Sequence, residues 1–180
     1  MNLYEILEQL RKKKIPVFTT NDITRISKLA KSSAIVSIKR MVDKDLLFRV
    51  AKGIYALDSD PFLYASYIIP NSYISFNAAL YLNKTIDQVP TVIHVVVPRR
   101  VKKKVRGISF IHFTKKAIFG FKKIDYRGYF IWVAEKEKAL IDIAYKFGNI
   151  TYTDKKINKK KLVSYAKIMG VNISDREVLR

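Results

Sequence analysis

Leu3, Ile6, Leu7 and Leu10 recur at three- and four-residue spacing between Asn2 and Lys13. That spacing lays a single apolar stripe along one side and predicts an amphipathic helix. Pro16 breaks the pattern, and the chain re-enters at Phe18. Thr20 then fits an N-cap, with Asp22 in the first turn where the helix dipole favours an acid. Ile23, Ile26 and Leu29 give a short second helix its stripe, and Lys31-Ser32-Ser33 ends it and offers a new cap. A third helix follows, with Ala34, Ile35, Ile38, Met41 and Val42 toward the core and Ser33, Ser37, Lys39, Arg40 and Lys44 opposite. Leu46 to Val50 reads as a strand, Ala51-Lys52-Gly53 as a turn, and Ile54 to Leu57 as the returning strand.

Three helices and a hairpin are the order of a winged helix-turn-helix, expected here over residues 1–58. In that arrangement the third helix enters the major groove. Ser33, Ser37 and Arg40 are its candidates for base edges, Arg40 for guanine in particular. Lys31, Lys39, Lys44, Arg49 and Lys52, with Ser32 at the head of the helix, are the remaining candidate DNA contacts. The cations would grip phosphates and set affinity rather than sequence choice. Winged helices also serve as protein-interaction modules, and a basic helix is often only a solvated face. Twelve cations against five acids in Met1 to Leu57 favour DNA over both.

Residues 59–180 are expected to form a second, small α/β domain, so the chain as a whole is α+β. Phe62 to Ile69 and Ser75 to Leu82 read as helices. Thr91 to Val97, rich in β-branched residues, reads as a buried strand, and Ile108 to Phe113 as another. Phe121 to Tyr126 and Tyr129 to Val133 flank Arg127-Gly128 as a tight hairpin. Glu135 to Phe147 is a helix closed by Gly148, and Leu162 to Met169 a last one closed by Gly170.

Charge changes the picture more than composition does. The 180 residues hold 35 Lys and Arg against 15 Asp and Glu, a formal net charge of +20. Such a field favours a polyanionic partner. With no cysteine, disulfides and thiolate chemistry are excluded. Pro61 to Asn83 carries no charge, but Pro70-Asn71-Ser72 interrupts it and Asn77 lies within it. Two buried helices joined by a turn explain that stretch better than a membrane span. The first residues lack the order of a signal peptide, so a cytoplasmic chain is expected.

Two basic runs stand apart. Arg99, Arg100, Lys102, Lys103, Lys104 and Arg106 follow a strand and Pro98, and offer a second contact to DNA or to a protein partner. Lys155 to Lys161 runs into a helix start, where the dipole disfavours cations; an external partner would compensate that placement.

Catalytic signals are sparse, and no enzyme, metal or cofactor is expected. Asp58 and Asp60 have the spacing of paired metal carboxylates, yet a linker acid pair is the more ordinary reading. His94 and His112 would sit within strands and pair across a sheet only if register allowed. Asp154-Lys155-Lys156 has the end of a nuclease motif without its preceding apolar strand. Glu135 and Asp142, seven apart on one helix face, are explained by helix-start charge and a solvated surface.

Several stretches in order resemble the AbiEi-type antitoxins of type IV toxin–antitoxin systems. They are the hairpin RVAKGIYAL, Tyr73-Ile74-Ser75 through Ala79-Leu80-Tyr81-Leu82, Asp87-Gln88-Val89-Pro90, and Glu137-Lys138-Ala139-Leu140-Ile141-Asp142. The resemblance covers about Thr19 to Tyr145. Asp45 and Lys84 stand where that family often has Gly, Lys136 where it has Pro, and the chain after Asn149 does not align. The resemblance implies an autorepressor that binds inverted repeats in its own operator and counters a nucleotidyltransferase-type toxin through its C-terminal domain. A winged-helix regulator or architectural DNA binder without a toxin is the alternative. A nuclease acting through a carboxylate and a lysine is the third.

Overall fold

Asn2 starts the first helix, α1 (Leu3–Lys12), by accepting from the Glu5 amide while the Glu5 carboxylate accepts from the Asn2 amide. This reciprocal pairing satisfies two otherwise orphaned donors. The computed structural model describes residues 2–148 and 157–173. After Pro16 the chain forms strand β1 (Val17–Thr19), three residues whose alternation is too short to register as a pattern. Thr19, rather than Thr20, caps α2 (Thr20–Ser27): its hydroxyl accepts from the Asp22 amide at 3.1 Å, and Asp22 accepts from the Thr19 amide at 2.9 Å. Helix α3 (Lys31–Asp43) begins at Ala30 without a side-chain cap, so Ser32 and Ser33 lie in its first turn and do not end α2.

Strands β2 (Phe48–Ala51) and β3 (Ile54–Ala56) complete a three-stranded antiparallel sheet in the order β1-β3-β2. Lys52-Gly53 make the turn between them, with Gly53 at φ +70°, where an added side chain would be strained. Ile6, Leu10, Phe18, Ile23, Ile38, Met41 and Leu47 bury one another in a small core among α1, α2 and α3. Asp45 takes φ 54° just after α3, and Lys84 takes φ 56°, so both residues standing in for Gly adopt the left-handed conformation Gly would supply.

The second part is built on a five-stranded mixed sheet. Its strands are β4 (Tyr73–Ile74), β5 (Ile93–Val97), β6 (Ile108–His112), β7 (Phe121–Tyr126) and β8 (Tyr129–Ala134), in the order β6-β5-β4-β8-β7. Only two residues long, β4 occupies the centre, antiparallel to β5 and parallel to β8. The uncharged stretch therefore contains a strand as well as helices. Its first helix, α4 (Pro61–Tyr64), is shorter than the sequence suggested and passes into a 3-10 turn over Ala65–Tyr67. Its second is α5 (Phe76–Leu82). Among the described residues no helix is long and apolar enough to cross a membrane.

Helices α6 (Lys136–Phe147) and α7 (Lys159–Met169) pack together, closed by left-handed Gly148 and Gly170. Lys161 of α7 meets Glu135 at 2.7 Å, and the Tyr165 hydroxyl donates to Glu135 at 2.6 Å. The larger core gathers Tyr73, Ile74, Phe76, Val95, Val96, Ile131, Val133, Leu140 and Leu162, and it also includes Ile54 and Ala56 of β3.

Candidate nucleic-acid interface

Helix α3 presents two unlike faces. Ala34, Ile38 and Met41 are buried. Lys31, Ser32, Ser33, Lys39, Arg40 and Lys44 are exposed, while Ser37 is half-buried at the edge between the faces. Val36 is 49% exposed, and so is Ile35, which the stripe had placed in the core. The reason is geometric: 34, 38 and 41 already fill the contact with α1 and α2, and 35 lies a further 100° or so around the helix.

On the hairpin, Arg49 is exposed on β2 and Lys52 stands exposed at the turn. The register of β2 shifts between Arg49 and Ala51, a bulge that adds one residue to that strand just before the turn. Among the described residues none of Lys31, Lys39, Arg40, Lys44, Arg49 or Lys52 makes a salt bridge. In the same region Arg25 does, with Asp22 at 3.1 Å.

The run from Arg99 to Arg106 has a definite place. Strands β5 and β6 are parallel, with Ile93 opposite Ile108 and Val97 opposite His112. The connection must therefore return the length of both strands. It does so without a helix, Val101 packing against the larger core and Val105 buried and bridged to Ile108. Two valines four apart pin the strap, and Arg99, Arg100, Lys102, Lys103, Lys104 and Arg106 all stay exposed.

Other candidates resolve differently. His94 faces Ser109, not His112, and the His112 side is exposed, so register separates the two histidines. His94 instead packs 5.2 Å from the Phe76 ring, and burial pushes its pKa down. Asp58 accepts from the Asp60 amide, and Asp60 accepts from the Phe62 amide, the Tyr126 hydroxyl and Arg127. Both acids thus serve a turn and a helix cap. Among the described residues no group of three or more His, Cys, Asp or Glu side chains is placed to hold a metal ion. Asp154, Lys155 and Lys156 lie outside the described residues. Of the second basic run, Lys161 is compensated internally by Glu135, which corrects the expectation of an external partner there. Lys159 and Lys160 remain exposed.

Asp142 is the largest departure. It is not on a solvated surface; both it and Lys138, one turn earlier on α6, are 0% exposed and paired with each other. The Ser75 hydroxyl donates to Asp142 at 2.6 Å and the Tyr73 hydroxyl at 3.2 Å, while Lys138 Nζ lies 3.0 Å from the Tyr73 oxygen. The rings of Phe119 and Phe113 face the ammonium at 4.9 and 5.6 Å. Burial drives the carboxyl up and the ammonium down, against the attraction between them. A carboxylate and a lysine with no exposed surface are shaped as a core fastening, with no face toward a substrate. Their sequence signal was a Lys and an Asp four apart among Ala139, Leu140 and Ile141.

Residues 5–57 match the family described as transcriptional regulator, AbiEi antitoxin. The span runs from α1 to the end of the β2–β3 hairpin and takes in every candidate DNA contact of the first part. Over it the chain is similar to antitoxins that regulate transcription. No curated protein matches the chain.

Proposed function

With the regulator likeness of residues 5–57 as premise, we propose that this chain is a DNA-binding antitoxin that represses its own operon. Residues 1–58 act as a winged helix-turn-helix. Helix α3 enters the major groove with Arg40 and Ser33 toward base edges, and the β2–β3 hairpin is the wing, gripping phosphates through Arg49 and Lys52. The observation that carries this reading is the set of exposed cations on α3 and the hairpin that, among the described residues, have no acidic partner of their own. Lys31, Lys39 and Lys44 complete the phosphate grip. Ser32 and Ser33 lie at the uncapped start of α3, where a phosphate would meet free amides.

Residues 59–180 counter a partner toxin of nucleotidyltransferase type and, through the Arg99–Arg106 strap, add contacts to the same DNA or to that toxin. The exposed strap and the +20 charge also favour a second reading, an architectural binder that grips backbone without choosing sequence.

Fluorescence anisotropy on the DNA upstream of the gene and on a shuffled control, titrated with salt, separates the two. A native site at least ~1,000-fold tighter near physiological salt supports the repressor. Parallel loss of both sequences along one steep slope supports the backbone grip.

A further inference from the structure

Ile35 and Val36 are half-exposed neighbours on a helix whose other outward residues are Lys31, Ser32, Ser33, Lys39, Arg40 and Asp43. Residues four apart lie above one another on a helix, so Ser32, Val36 and Arg40 form one row. Val36 thus stands in the middle of the face that carries the unpaired cations. A partner for this face must offer negative charge around a small apolar point. Duplex DNA does so in its major groove, where the C5-methyl of thymine is the apolar group among hydrogen-bonding edges. A protein or membrane partner would call for a broader apolar patch than two side chains.

We infer that Val36, flanked by Ile35, reads thymine by its methyl group. The inference rests on the reading of α3 as the groove helix. It also fixes a distance. Four residues of helix rise ~6 Å, and bases along one strand are spaced ~3.4 Å. The thymine lies about two base pairs from the base that Arg40 reads.

The experiment selects the tightest sites for the whole protein from a random-sequence duplex pool. Each thymine of the best site is then replaced singly by deoxyuridine, which deletes only the methyl. Binding is read by anisotropy for the wild type, Val36→Ala and Ile35→Ala, after thermal melts establish that the variants fold. The expected result is about a fourfold loss, the worth of roughly one buried methyl, at one or two thymines. These should lie about two base pairs from the position where Arg40→Ala relaxes preference. In Val36→Ala the same replacement should leave affinity unchanged.

Deoxyuridine tolerated at every position by the wild type would overturn the inference and leave the groove reading standing. So would a penalty that persists undiminished in both alanine variants. A pool from which no sequence emerges tighter than random DNA would remove the groove reading itself, and this inference with it.

Discussion

The Arg127 guanidinium lies 3.1 Å from the Asp60 carboxylate, tying the turn of the β7–β8 hairpin to the segment that leaves β3. Asp60 is the hub of this clasp, accepting from Tyr126 at 3.1 Å and capping α4 through the Phe62 amide at 3.0 Å. Burial and the Asp60 charge hold the Tyr126 hydroxyl up at about 12, so it stays a donor through the whole neutral range. Asp60→Ala should lower stability by about 1–2 kcal/mol in chemical denaturation, mostly through the lost cap. Asp60→Asn, which keeps the cap, should fall between it and the wild type. Arg127→Ala should have a smaller effect, because its exposed ion pair is screened, and ~1 M salt should erase it. An Arg127 effect that survives salt would contradict this division.

Deleting one partner of the Lys138–Asp142 pair strands a charge in the core. Lys138→Met should cost about 3–5 kcal/mol in urea or thermal unfolding, and adding Asp142→Leu should restore much of it. A double variant no better than the single one would show that Asp142 is held by Ser75 and Tyr73 alone. Gly120→Ala tests the same packing from outside. A Cβ there would stand 3.1 Å from Lys138 Cβ and Cγ and from the Tyr165 ring, at φ +68°. It should destabilise without changing any charge.

At the proposed interface the two kinds of contact separate by salt and sequence. Arg40→Ala should cost about 1–3 kcal/mol at one operator position and relax preference there. Lys52→Ala should weaken all sequences alike and flatten the salt dependence by about one unit. Anisotropy over a salt series reads both. Uniform weakening by Arg40→Ala would remove α3 as the reading element.

The α6–α7 junction should respond to acid. Burial works to raise the Glu135 pKa, but hydrogen bonds from Lys161 and Tyr165 outweigh it and hold it below the usual glutamate value. A lowered folded pKa means stability that is complete above the unfolded value, about 4.3, and lost as pH falls through the folded one. Glu135→Gln should therefore melt roughly 2–4 °C below wild type at neutral pH. The gap should narrow below about pH 4 and close in stronger acid. A gap that stays constant with pH would mean the carboxylate charge is not what holds α7.

How much of this was legible depended on pattern length. The long stripes of α1 and α3 and the Arg127-Gly128 hairpin showed in the sequence because each repeats its period several times or carries a specific turn residue. Strands β1 and β4 did not, since three or two residues hold no period. Their existence is decided by distant partners: β3 for β1, and β5 and β8 for β4. The same limit hid the Lys138–Asp142 pair. Charged residues four apart on a helix usually sit in water, and the partners that meet these two in the core include Tyr73 and Ser75, more than sixty residues away. The exposed cations of α3 were legible because, among the described residues, no acid pairs with them. Ile35 was not, because a stripe fixes the angular centre of a buried face and not its edges.

Ile54 and Ala56 of β3 belong to the larger core, while Tyr55 between them packs against the smaller one and the strand's two edges pair with β1 and β2. The proposed reading head is thus not an interchangeable cartridge. A chimera that exchanged residues 1–57 for those of a known regulator would carry foreign side chains into a core shaped around this strand. Changes of target are better made by single substitutions on the outer face of α3. For the same reason, a ligand or partner that rearranged the larger core would shift the root of the hairpin without touching DNA.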